Sequence, residues 1–518
     1  MAGLQASTPL GLGEKANDRP AVIGICDITG EQRRRRRRPP PSPEWSRRRK
    51  APMSSSTSPG PLGLSDAAVL LLAANLASVP QLASLQALIT AYPDLLHFSV
   101  VLRLLLTILP ETISPEDYLP LVYSLYRNDT ATLPFDPSRI PSAFIDQVSN
   151  LSQAALRRRL SLFELSDIPT PRIKPEDYQN TLIQWFFDRA RKVEEATGMI
   201  DLARRLVLPD PKSFEQSPPF PPAAVTLWGK GIVQVLETFI FDNEGEDELQ
   251  LLSFENLDPD SGVRFLLYRS TAETISRNVR HLIAPFAEYI KVQQPEKEPW
   301  AALWEWLLDR SSAGELEYVA NLGSDWFGGP DDLLRQFLQT SMTACYVCQH
   351  SSPSIRTNLH RIHVDISRLS QNLNVPSTGQ QIVLHHPETD LLVSELRHAS
   401  PLITLTSESL QFLDNIIASA DIIAQASIKP ELCLREIVLI HEGTEQTQFQ
   451  LLDQLLRTDQ AWTKRTEEQW RKIRQSTHTL QSQSQVLAKV PLETVDKMIF
   501  TAILDASGIP GLWLTSDG

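Results

Sequence analysis

The stretch Leu95-Leu96-His97-Phe98-Ser99-Val100-Val101-Leu102-Arg103-Leu104-Leu105-Leu106-Thr107-Ile108-Leu109 is apolar on nearly every side until Pro110 stops it. A helix wetted along one flank does not have this composition; one packed between neighbours does. The stretch therefore predicts a helix enclosed by other helices, and the sequence around it supplies them. Ser114-Pro115-Glu116-Asp117-Tyr118 reads as the next helix start, with a hydroxyl at the N-cap, a proline whose missing N–H costs nothing, and acids facing the positive end of the dipole. The Pro-Glu-Asp-Tyr string returns at Pro175 to Tyr178, and reuse of one helix-opening device suits a stack of similar hairpins. Further on, Leu333, Leu334, Phe337 and Leu338 form one apolar stripe, Leu413, Ile416, Ile417, Ala420 and Ile423 another, and Leu452, Leu455 and Leu456 a third. Each stripe needs cover, which neighbouring hairpins supply in a solenoid. Glycine is scarce, at 21 residues, and the period-2 alternation of strands hardly appears. The expected fold is all-α: an extended α-solenoid of antiparallel helix hairpins over residues 63–518.

Residues 1–62 read differently. Arg33 to Arg38, Pro39 to Pro41, Pro43, a second basic run through Lys50 and a Ser/Thr/Pro tract cannot bury a core, so a disordered extension is expected. Residues 1–64 carry twelve Lys/Arg against five Asp/Glu, a net +7, which leaves −20 of the overall −13 on the other 454 residues. An acidic body repels polyphosphate, so no nucleic acid is expected there. Within the body, prolines between 209 and 222 mark a stiff break, and the polar runs 242–248 and 293–299 mark two more.

Asp66 and Asp94 bound twenty-seven uncharged residues behind the arginine run, which imitates a signal anchor. Asn75, Ser78, Pro80, Gln81, Ser84 and Gln86 interrupt that stretch, and Pro80 would break a spanning helix in its middle. Two short amphipathic helices fit better, with Leu82, Leu85, Leu88 and Ile89 on one face. Cys26, Cys345, Cys348 and Cys433 are too few for a disulfide framework and suit a reducing compartment. There the triplets starting at Asn128 and Asn150 carry no glycan.

The metal candidates are Cys345 and Cys348 with His350, His360 and His363, a loose two-Cys, two-His set; His360 and His363 are spaced more tightly than a finger uses. Two buried thiols on one helical stripe account for the same cysteines without metal. His385 and His386 before Pro387 read as a loop pair, and His441-Glu442 lacks the second histidine of a His-Glu-x-x-His site. No Walker loop, Gly-x-Gly-x-x-Gly or Gly-x-Ser-x-Gly is present. No catalytic residue, cofactor or small-molecule substrate is therefore expected. The aromatics Trp185-Phe186-Phe187 and Trp300, Trp304 and Trp306 either fill space between helical layers or anchor a partner helix.

Ala68 to Ala77, Leu95 to Glu111, Trp228-Gly229-Lys230-Gly231-Ile232-Val233 with Leu236-Glu237, Leu252-Ser253-Phe254-Glu255-Asn256-Leu257 and Val490-Pro491-Leu492-Glu493 together resemble the fungal secretory-pathway Sec-thirty-nine family, related to the animal neuroblastoma-amplified protein. The resemblance spans about residues 65–510. It implies an α-solenoid subunit of the Dsl-type tethering complex. Such a subunit is peripheral on the cytoplasmic face of the endoplasmic reticulum (ER), binding other tether subunits and ER SNAREs in Golgi-to-ER retrograde vesicle transport. It carries over no catalytic residue. It also implies further helices beyond Gly518, hence a C-terminally truncated domain, and it offers no counterpart for the arginine-rich extension. Two other readings stay open: a nuclear or RNA-associated helical adaptor directed by Arg33 to Lys50, and a zinc enzyme or finger using Cys345, Cys348, His360 and His363.

Overall fold

The computed structural model describes residues 61–127, 136–163, 174–210, 220–242, 249–377, 379, 382, 384, 400–425, 432–457 and 462–506. Residues 1–60 of the extension, Cys26 among them, and His385 and His386 lie outside the described residues. Among those described there is no strand. The helices are α1 (Asp66–Ser78), α2 (Leu82–Ala91), α3 (Phe98–Thr107), α4 (Pro115–Tyr126), α5 (Ser142–Ser149), α6 (Gln153–Leu162), α7 (Tyr178–Thr197) and α8 (Ile200–Val207). Next come α9 (Ala223–Asp242), α10 (Leu251–Glu255), α11 (Pro259–Leu267), α12 (275–293), α13 (Pro299–Ser312), α14 (Glu317–Ser324), α15 (Asp331–Val347) and α16 (Pro353–Ser370). The last are α17 (Ser407–Gln425), α18 (Leu434–Glu442), α19 (Glu445–Arg457), α20 (Glu467–Ser482) and α21 (Leu492–Ala506).

Local chemistry sets most of the starts. Ser65, Ser152, Asp258, Ser352 and Thr466 cap α1, α6, α11, α16 and α20, each side-chain oxygen accepting a backbone N–H of the first turn. Pro115, Pro259, Pro299 and Pro353 occupy first helical positions, where the ring is pre-set for the helix. Ser114 is the N-cap of α4 as its sequence predicts, but its hydroxyl donates to the Glu116 carboxylate instead of accepting from the backbone. At the repeated string, Pro175–Asp177 form a single 3₁₀ turn that leads into α7. α7 ends on Gly198 at φ +69°, the left-handed conformation that glycine enters without a Cβ penalty.

Packing follows chain order. α13 contacts α15, α14 contacts α16, α12 contacts α14, and α16, α17 and α18 pack in succession. The longest reach among the strong pairings is α1 to α6. Stacking of each helix on those shortly before and after it is consistent with an α-solenoid. The three stripes read from sequence are buried in α15, α17 and α19.

Two details depart from expectation. The decisive helix is shorter than its apolar run: Leu95 and Leu96 belong to the preceding turn, and Ser99, Arg103 and Thr107 give α3 a wetter edge. The break at Pro80 is where the sequence puts it, and α2 buries Leu85, Leu88 and Ile89 as expected, but α1 is not amphipathic. It is enclosed on nearly all sides because α2, α3, α5 and α6 all pack against it.

Among the described residues one helix, α9, is long and apolar enough to cross a membrane, and 50% of its apolar window is buried within the protein. α9 contains a π turn, Gly229–Val233, and α12 contains another, Val279–Ile283. The two are reciprocal. Each π turn packs against the α-helical second half of the other helix. A Cβ on Gly231 would lie 2.3 Å from Cβ of Tyr289 and 3.1 Å from the Pro285 carbonyl oxygen, so only glycine allows this approach.

Polar pins tie the layers. Arg189 of α7 is fully buried; its guanidinium donates to the carbonyls of Leu109 (2.9 Å) and Pro110 (2.7 Å) and lies 4.0 Å from Glu111. Lys192 pairs with Glu111 at 2.8 Å. Arg191 grips Glu255 of α10 through two bonds of 2.8 and 2.9 Å, and Trp228 Nε1 donates to the same carboxylate at 3.1 Å.

Candidate functional site

Cys345 is wholly enclosed in the last turn of α15, and Cys348 is the buried C-cap of that helix, its Sγ 3.6 Å from the His350 carbonyl oxygen. Cys433, at the N-cap of α18, joins them around a cavity of about 10 Å³ that His350 and Leu359 also line. That is room for one water. Burial pushes all three thiols up, Cys433 to about 11 despite its backbone hydrogen bond near Glu436. They are protonated at neutral pH and pack as small apolar groups. Sequence reading missed the approach of Cys433 because eighty-odd residues separate it from the other two, and nothing local signals the contact.

The imidazoles of His360 and His363 face elsewhere. His360 Nε2 lies 2.6 Å from Asp421 Oδ2, and His363 Nε2 lies 3.6 Å from Asp414 Oδ1, both carboxylates belonging to α17. The structure thus places Cys345 and Cys348 in the core, and His360 and His363 along the seam between α16 and α17. Among the described residues no three His, Cys, Asp or Glu side chains converge as a metal ion would require.

His360 also borders an open groove of about 430 Å³ with Ser324 of α14 and Thr357, Arg361, Val364 and Asp365 of α16. A serine, a histidine and an aspartate at one groove invite comparison with a nucleophile, base and orienting acid. The Ser324 hydroxyl, however, is 3.0 Å from both Asp365 Oδ2 and the Ala320 carbonyl, and the His360 ring is turned to Asp421. Arg361 donates to Asn321 Oδ1 (2.8 Å), and Arg368 to Asp365 Oδ1 (2.8 Å) and the Gly323 carbonyl (2.9 Å). These contacts stitch α14, α16 and α17 together across the groove floor. They hold the Ser324 hydroxyl on Asp365 and the His360 ring on Asp421.

The aromatic clusters are interlayer filling. Trp185 and Phe186 are buried, and Trp185 Nε1 donates to the Leu102 carbonyl at 2.9 Å across to α3. Phe187 meets Trp228 at a centroid distance of 4.7 Å. Trp304 and Trp306 are buried; Trp304 stacks on Trp300 at 5.8 Å and donates to Gln336 Oε1 at 3.0 Å. Sequence alone could not distinguish this role from that of an exposed anchor.

What remains on the outside is long helical surface presented by many elements. No curated protein matches the chain. Among known families, it matches the one described as secretory pathway protein Sec39 over residues 70–509, which takes in most of α1 and every helix from α2 to α21. The match runs through the whole helical stack, glycine-mediated π-turn contact included, and the chain belongs to this family of secretory pathway proteins.

Proposed function

We propose that this chain is a non-catalytic scaffold subunit of a vesicle-tethering complex, peripheral on the cytoplasmic face of the ER, that binds other Dsl-type tether subunits and ER SNAREs in Golgi-to-ER retrograde transport. The observation that carries this reading is the family match across residues 70–509, made by a chain whose described helices stack in sequence order. A helical stack of this kind buries its polar pins between layers and offers the outer helix faces as continuous surface for helix-against-helix docking. The groove between α14 and α16 supports the same reading, because its serine, histidine and aspartate are spent on holding helices together.

The test is reconstitution. Purified chain mixed with tether subunits and ER SNAREs is expected to co-elute with them in size-exclusion chromatography at a larger size than any component. Separate elution of every pair at micromolar concentration would remove the proposal.

A further inference from the structure

Helix α6 carries three consecutive arginines, Arg157, Arg158 and Arg159, all exposed. Among the described residues none of the three has a side-chain partner, whereas nearly every other described arginine does. The contrast with α20 is direct. There Arg471 and Lys472 each pair with a glutamate four residues earlier, Glu467 and Glu468, and Arg474 pairs with Asp496. Residues 150–163, Asn-Leu-Ser-Gln-Ala-Ala-Leu-Arg-Arg-Arg-Leu-Ser-Leu-Phe, contain no acid at all, so α6 has no internal neutralisation.

The geometry adds a second observation. Leu156 and Leu160 are buried and dock α6 onto α1, which turns Arg158 directly outward. At about 100° per residue, Ala154, Ser161 and Leu162 fall within about 60° of Arg158, while Arg157 and Arg159 flank that stripe on either side. Leu162 is 77% exposed, more than any other large apolar side chain described. An outward face centred on Arg158, flanked by Arg157 and Arg159 and carrying one protruding leucine, presents three positive charges with a single apolar side chain, which suits a negatively charged lipid surface. A groove on a partner protein meets one helical stripe through residues three or four apart. Three successive residues fanned over about 200° suit a broad, laterally uniform anionic surface better.

We propose that the outer face of α6 is a membrane-docking surface, on which Leu162 enters a bilayer rich in anionic lipid while Arg157, Arg158 and Arg159 pair with its headgroup phosphates and carboxylates. This goes beyond tethering through partner proteins: it gives the chain its own contact with the membrane, and it does not depend on which tether subunits it joins.

The experiment is co-sedimentation of the full chain with phosphatidylcholine vesicles, with and without phosphatidylserine. The starting chain has Arg33–Arg38 and Arg47–Lys50 changed to glutamine, so that the other basic run contributes nothing. This chain is expected to bind the phosphatidylserine vesicles and to release them as salt rises. Adding R157Q, R158Q and R159Q should lower the partition coefficient roughly 100-fold. L162S should lower it about fivefold with the arginines intact. All four side chains are exposed, so circular dichroism and co-elution with tether partners should not change; loss of partner binding alone would bear on the tether proposal and leave this one standing. Equal binding with and without the three arginines, equal binding to both vesicle types, or arginine-dependent capture of soluble polyglutamate in preference to vesicles would overturn the lipid assignment.

Discussion

The first three helices and the last two are built on opposite terms. In α1, nine of thirteen residues are buried, among them Leu71, Leu72 and Leu76 with no exposed surface. In α20, sixteen residues long, only Trp470, Thr477 and Leu480 are buried. α1 has helices against it on nearly every side, whereas α20 is covered by α17, α19 and α21 along one flank. What α20 lacks in burial it replaces with local and interhelical polar bonds: a capping box between Thr466 and Gln469, His478 Nε2 at 2.9 Å and Arg474 at 3.0 Å from Asp496, and the two i,i+4 pairs. The lesson is that neighbours, and not intrinsic helix preference, decide how apolar a solenoid helix reads.

That contrast breaks if the two ends respond alike to substitution. The largest effect is expected at Leu72, fully buried in α1: Leu72→Ala removes packed methyl groups that nothing can refill and should cost about 3 kcal/mol in urea unfolding. An intermediate effect is expected at Glu111, where α7 is pinned to the chain after α3. Burial pulls this carboxyl's pKa up, but the hydrogen bond and charge of Lys192 and the nearby Arg189 outweigh it and hold it below the ordinary value of 4.5. A carboxylate with a lowered folded pKa contributes stability that is complete above its unfolded value and lost as pH falls through the folded one. Glu111→Gln should therefore cost about 1 kcal/mol at neutral pH, and its gap to wild type should close below the glutamate range. The smallest effect belongs to the far end. Asp496 is held low chiefly by the His478 ring, then by Arg474, but its side chain is partly exposed, so Asp496→Asn should cost about 0.3 kcal/mol and lose even that in high salt. A loss at Asp496 as large as that at Leu72 would show that both ends rely on the same forces.

The same asymmetry explains what was legible in advance. Helix starts at Ser114-Pro115, the break at Pro80 and the buried stripes of α15, α17 and α19 are local patterns, and they were readable because capping and periodicity act within a few residues. The enclosure of α1 was not, since four later helices, not its own sequence, decide how many sides are covered. Nor was the role of Trp185 or Trp304, because an aromatic on a helix looks the same whether its ring faces a layer or a partner. Arg189 reads as an ordinary surface cation until the carbonyls of Leu109 and Pro110 are found waiting for it. The arginines of α6 carry the reverse lesson: a charge run is usually a solvated face, and only the structure shows that no described acid answers them.

The paired π turns of α9 and α12 bear on how this chain tolerates change in length. A wider turn holds one residue more than regular winding would need, so a residue deleted within Gly229–Val233 is absorbed by a return to ordinary pitch, whereas one deleted from the regular winding that follows would rotate the rest of Gln234–Asp242 by about 100°. Because the matching turn in α12 leans on that segment, the two π turns are where this pair of helices can lose a residue and still keep Val235, Leu236 and Phe239 facing their neighbours.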